Sequence, residues 1–226
     1  MARIEHLNAE GHKLVADAVT RAEEGTDGEI VTIVSERSDQ YHDAALHYAF
    51  AAALAVIALA AMSPGTFEAK FAWFSNGWGE VSARTILFSV LIAETIVFLI
   101  VRYALAWAPL RMALTPRATR ARRVRRRAIQ YFKVGAERRT QARVGILLYL
   151  SLDERMAEIV ADEAIHKVVP AERWGDAMAA LVDEVRLGRP AQGMAAAVAQ
   201  IGTILSENFP KTETDRNELP DRLIEL

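Results

Sequence analysis

Hydrophobic spacing divides the chain into segments of three kinds. In the first, Ile4, Leu7, Leu14, Val15, Ala18, Val19 and Ala22 recur at helical intervals, which predicts an amphipathic helix stopped by the turn residues Gly25, Thr26, Asp27 and Gly28. Directly after it, Ile30, Thr32 and Val34 alternate with Val31, Ile33 and Ser35, and this density of β-branched side chains predicts a strand. A single strand is not stable alone, so its partners must come from later in the chain.

The second kind is continuous rather than periodic. Ala44 to Met62 is a run of nineteen residues without Asp, Glu, Lys or Arg, and Ile86 to Ala108 is a run of twenty-three in which Glu94 and Arg102 are the charged positions. At about 1.5 Å per residue, each run covers a bilayer core of roughly 30 Å. Together they predict a transmembrane hairpin with helices at 44–62 and 86–108 and an outer loop at 63–85. In that loop Phe67, Phe71, Trp73, Phe74 and Trp78 suit the headgroup level. Ala49, Ala53, Ala58 and Ala61 allow close backbone approach, either within the hairpin or between two copies of it.

Soluble-type patterns make up the third kind, after the hairpin. Gly145 to Leu152 and Met156 to Ala161 are apolar runs separated by Asp153, Glu154 and Arg155, which reads as a β-hairpin with a short polar turn. Pro170 and Glu172 open a helix whose Trp174, Met178, Leu181, Val182 and Val185 form an apolar stripe closed by Gly188; Pro190 opens the next, with Met194, Val198, Ile201 and Leu205 on one face, ending before Pro210. Upstream, Thr119 to Thr140 predicts a long helix coated with arginine, carrying Val124, Ile129, Tyr131, Phe132 and Val134 as its apolar content. The implied organisation is an N-terminal piece at 1–43, the hairpin at 44–110, a basic juxtamembrane helix at 111–143, a C-terminal piece at 144–210 and a polar tail at 211–226.

Charge then orients this arrangement. Between Arg111 and Arg143 there are twelve Lys or Arg against the single acid Glu137, a local charge of +11 in a chain whose total is −2, so the remainder carries −13. Because the basic run follows the second span, the positive-inside rule places it on the cytoplasmic side, and two crossings bring the N-terminus back there. The expected location is an inner membrane, with two spans and both termini in the cytoplasm. Arg117, Arg120, Arg122, Arg123, Arg125, Arg126 and Arg127 are the expected lipid-facing cations, each contributing about 1 kcal/mol against anionic headgroups. Nucleic acid is the weaker partner for such a stretch. Lacking an apolar core in its first forty residues, the chain is expected to use its first span as the insertion signal.

Hydrophobic residues make up 52% and charged residues 25%, too polar for a polytopic transporter and too apolar for a disordered tail. With no Cys, disulfides, thiolate metal sites and Cys nucleophiles are excluded. Candidate chemistry is sparse. Strand alternation would bring Glu154, Glu158 and Asp162 into one neighbourhood near His166, a set of oxygen donors that could hold Ca²⁺ or Mg²⁺, although a hairpin turn and an exposed strand face are ordinarily acidic or polar for solubility, which is the stronger reading. Asp162, at the end of an apolar strand, suits a helix cap or turn closure. Trp174 is expected to be a core aromatic. Glu94 lies about 12 Å from the outer end of its span, where a carboxyl must be protonated, paired or turned to another helix, whether in a second copy or in another membrane protein; Arg102 is close enough to the boundary to snorkel. No catalytic triad context, HExxH, phosphate-cradling glycine loop or zinc spacing occurs.

The segments TDGEIVTIVSERSDQY, GILLYLSLDERMAEIVADEAIHKVVPAERWGDAM, GRPAQGMAAAVAQIGTILSENFP and NELPD, in that order, resemble the bacterial membrane-bound branch of the TPM domain family. Its relatives include a thylakoid-lumen phosphatase-like protein and a receptor-associated membrane protein of animals. The resemblance covers about two thirds of the chain. It implies an α+β fold, a small mixed sheet flanked by helices, here split by the inserted transmembrane hairpin. No single activity follows from it, because members of the family serve different roles. Phosphatase-like relatives often carry an Asp-Asn pair just before the glycine that opens the second strand; here Arg143 and Val144 precede Gly145, which removes two oxygen ligands and adds a cation. The expected function is a non-enzymatic interaction or assembly module at the cytoplasmic membrane face, without a cofactor. A phosphatase-like or divalent-metal-dependent hydrolase is the competing expectation.

Overall fold

The computed structural model describes residues 7–62, 65, 69, 82–135, 144–212 and 221–226. Ile4, the five aromatics expected at the outer headgroups, and Arg143 lie outside them. The chain divides into two units, Met1–Asp39 with Ala118–Leu226, and Gln40–Arg117.

The first unit is built around a four-stranded mixed sheet in the order β3-β2-β1-β4. Strand β1 (Glu29–Ser35) runs parallel to β2 (Gly145–Ser151), Ile30 facing Ile146 and Val34 facing Leu150. Strand β3 (Met156–Ala161) returns antiparallel to β2 through a turn at Leu152–Arg155, in which Arg155 adopts a left-handed φ of 52°. The outermost strand, β4 (Leu223–Glu225), pairs parallel to β1. This strand lies in the segment expected to be a polar tail; three residues with charged neighbours are too few to register as a periodic pattern.

Because side chains alternate across a strand, each central strand feeds two cores. Ile30, Val34, Ile146, Leu148 and Leu150 point to one face, where three helices cover them. These are α1 (Ala9–Glu23), with Val15 and Val19 buried, α7 (Trp174–Arg186) and α8 (Pro190–Asn208). Helix α1 starts at Asn8, whose side-chain oxygen accepts the Gly11 N–H at 2.8 Å, the preferred way to satisfy an open helix start. Helix α7 ends in a Schellman motif: Gly188 takes φ 78°, its N–H donates to Val185 O and the Arg189 N–H donates to Glu184 O, both at 3.0 Å. Trp174 is buried in this core, as its place on the stripe implied. Ile33, Leu147 and Tyr149 point to the opposite face, covered by α5 (Arg117–Gly135) through Val124, Ala128 and Phe132. A short helix, α6 (Glu163–Val168), which the periodicity had not distinguished, follows β3 and buries Ile165.

The second unit holds α2 (His42–Met62), α3 (Ala83–Ala104) and the short α4 (Ala108–Leu114). Helices α2 and α3 pack along each other. On α2 the buried residues are Ala45, Ala49 and Ala53, one face at four-residue spacing; Ala58 and Ala61 are exposed. Both helices are long and apolar enough to cross a membrane. Arg111, the first residue of the basic run, is buried, and its Nη1 donates to the carbonyls of Leu105 and Ala106 at 2.9 and 3.2 Å. It places a cation on the carboxyl end of α3, where the helix dipole and its unpaired carbonyls favour one.

Candidate functional site

Polar side chains concentrate at the carboxyl ends of β1 and β2, on the face covered by α5. Alternation places Ser35, Tyr149 and Ser151 on that face, the loop after β1 brings Ser38, and the β2–β3 turn brings Glu154. The Glu154 carboxyl accepts the Ser38 N–H at 3.0 Å and the hydroxyl of Ser151. Ser38 and Tyr149 hydroxyls share a hydrogen bond of 3.0 Å. Burial holds the Tyr149 phenol above its ordinary pKa, opposed by hydrogen bonds with Ser38 and Ser35, so it stays neutral. Helix α5 closes the cluster: Arg127 Nε donates to Ser38 O at 3.0 Å, its guanidinium lies over the Tyr131 ring, and Arg123 pairs with Asp39 at 3.0 Å. At the rim Arg37 binds Asp153.

Ser38, Ser151, Tyr149 and Glu154 are all buried, and their donors and acceptors face one another. The arrangement ties three distant pieces of chain together and offers solvent no open nucleophile. Replacing Glu154 by Ala strands the Ser38 N–H and the Ser151 hydroxyl away from water, which costs about 1–3 kcal/mol for each orphaned group. The expected result is a fall of several degrees in melting temperature, read by circular dichroism, with a smaller fall for Glu154→Gln.

The three carboxylates expected to converge do not. Glu154 sits in the turn, Asp162 follows the far end of β3, and at about 3.3 Å per residue some 20 Å or more separates them. Glu158 lies between, opposite Tyr149, and burial raises its pKa against the lowering effect of Arg125. Among the described residues no group of three or more His, Cys, Asp or Glu side chains is placed to hold a metal ion. Asp162 occupies the cap position of α6, yet its side chain makes no cap bond there; its Oδ2 accepts the Gly145 N–H at 2.8 Å while its own N–H donates to Gly145 O at 2.9 Å. It locks the open end of the β2–β3 pair. Val144 is buried in the core.

The arginines of α5 separate by helical phase. Arg117, Arg122, Arg125 and Arg126 are exposed, whereas Arg120, Arg123 and Arg127 are half-covered, the last two engaged with Asp39 and Ser38. A helix that buries Val124, Ala128 and Phe132 cannot turn all seven arginines outward. Glu94 is half-covered near the middle of α3, about 16 Å from its start, because the helix begins three residues earlier than the apolar run; Arg102 lies in its last turn.

Comparison with known proteins agrees with this fold. The solution structure of BA42 from the psychrophilic bacterium Bizionia argentinensis is similar with a TM-score of 0.57 and 18% identity, all of each chain being covered. No curated protein matches. Residues 108–204 match the TPM domain family, a span that leaves out β1 although β1 lies between β2 and β4 in the sheet. The chain carries a TPM domain at residues 108–204.

Proposed function

We propose that the protein is a membrane-anchored TPM-domain protein whose sheet-bearing unit acts as an interaction or assembly module at the cytoplasmic membrane face. The observation that carries this reading is the bareness of the second unit: α3 has no buried residue, and Leu87, Phe88, Leu91, Ile92 and Ile100 are each more than half exposed. A core helix of a water-soluble domain would bury such a surface; lipid covers it without cost. Tyr48, Tyr103 and Trp107 are exposed towards the ends of α2 and α3 nearest α4, and the Tyr48 hydroxyl donates to Leu114 O at 2.8 Å. Amphipathic rings at that level suit a headgroup belt. The exposed Arg117, Arg122, Arg125 and Arg126 are then the α5 arginines available to anionic lipid.

A phosphatase-like hydrolase is the competing reading, and the buried, mutually satisfied Ser38, Ser151 and Glu154 argue against it. The test is fractionation of cells expressing the full chain. It is expected to stay in the membrane pellet through alkaline carbonate and to leave with detergent, its termini cleaved by protease only when the cytoplasmic side is opened. Recovery in the aqueous fraction would overturn the reading.

A further inference from the structure

Glu94 stands near the middle of α3, with about 15 Å of helix on either side of it. The residues one turn away in both directions, Val90, Leu91, Val97 and Phe98, are apolar. The hydroxyl groups before and after it in the sequence are given to their own helix: Ser89 donates to Ile86 O and Thr95 to Leu91 O, both at 2.7 Å. On α2 the polar side chains are His42, Asp43, His47 and Tyr48, all within its first two turns, and every residue after Tyr48 is apolar. Among the described residues the Glu94 carboxyl has neither a hydrogen bond nor an ion pair. The hairpin therefore carries one acid at mid-depth and nothing of its own to meet it.

Resting on the membrane reading, we propose that two copies of the chain pair in the bilayer through α3, with Glu94 of one copy facing Glu94 of the other across a two-fold axis along the membrane normal. Hydrocarbon excludes a bare carboxylate, and a carboxylic acid there needs an acceptor for its O–H and a donor for its carbonyl. A second carboxylic acid supplies both at once. Copies inserted in the same orientation hold equivalent residues at the same depth, so the match follows from symmetry and requires no polar group fitted on a different protein. The surroundings suit such a seam. Glu94 lies on the flank of α3, half-covered, and Leu87, seven residues earlier and so about 20° away around the helix, is exposed, as is Leu91 one turn before Glu94. Two such apolar flanks, brought together, close over the acid pair and keep it dry. Ile92, about 160° around the helix from Glu94, is left to lipid.

The chain has no Cys, so one introduced thiol reports on one face. In purified full-length protein reconstituted into phosphatidylcholine vesicles, oxidation is expected to give a disulfide-linked dimer from Leu87→Cys or Leu91→Cys and little from Ile92→Cys. Energy transfer between fluorescently labelled copies, followed as the protein is diluted with lipid, gives the dissociation constant of the dimer. Glu94→Leu is expected to raise it about tenfold. Glu94→Gln, whose amide also carries a donor and an acceptor, is expected to keep it near that of the unsubstituted protein, which separates the hydrogen-bonded pair from a change in packing. Equal crosslinking from Leu87→Cys and Ile92→Cys, or a dissociation constant indifferent to Glu94→Leu, in protein that floats with the vesicles would overturn the pairing alone. Protein that fails to float with them would overturn the membrane reading and the pairing together.

Discussion

Gly202→Val is expected to lower the melting temperature of the sheet-bearing unit by roughly 10 °C. Helices α1 and α8 approach each other most closely here: a Cβ on Gly202 would lie 2.6 Å from Ala22 Cβ and 2.9 Å from Ala22 Cα. Neither atom can yield, since one is main chain and the other is attached to it. The helices must therefore part, at the upper end of the roughly 1–3 kcal/mol that overpacking costs, and about 2–4 °C follows from each kcal/mol in a domain of this size. Thermal unfolding followed by circular dichroism measures the shift. Ala22→Gly in the same chain is expected to restore part of it, because the Cβ clash is relieved while the Cα remains; separate, additive losses would show that the two residues do not share this contact.

Replacing Gln40–Arg117 by a short Gly/Ser linker is expected to give a folded protein that stays in solution without detergent. Both ends of the cut are held by contacts within the sheet-bearing unit. Asp39 meets Arg123 at 3.0 Å and Ser38 O accepts Arg127 Nε, so Asp39 already lies over the first turns of α5, and Ala118 is five helical residues, about 7.5 Å, before Arg123. A linker of about six residues spans such a gap. The exposed apolar side chains of α2 and α3 leave with the excised segment. Dispersed amide resonances in plain buffer would support the split architecture, whereas a detergent requirement that survived the excision would place the apolar liability in the sheet-bearing unit.

Much of this fold could be read from residue spacing. The stripe on α1, the β-branched run of β1 and the apolar pair around Asp153–Arg155 announce their elements because each is long enough to show a period and is bounded by turn residues. Strand β4 could not be read this way, since its three residues form a strand only because β1 offers them an unpaired edge. The polar cluster was hidden for a related reason: Ser38 and Tyr149 lie 111 positions apart, and nothing local in either neighbourhood points to the other. Glu154 stood out as an acid that could serve either a metal or the solubility of the turn, whereas its neighbours in space make it a buried acceptor. The arginines were seen as one charge, and α5, by burying a stripe of its own, divided them into an outward set and a set that binds the β1 loop.

The placement of β1 sets a hazard during synthesis. Both of its neighbours arrive later, β2 starting 110 residues after Ser35 and β4 at Leu223. At about 5–20 residues per second a ribosome needs roughly 5–20 s to supply the first of them. For that interval the Ile-Val-Thr-Ile-Val run has neither edge protected, a sequence type that readily joins its own kind on another nascent chain. The emerging N-terminal segment is therefore open to self-association until the remainder of the sheet has been translated.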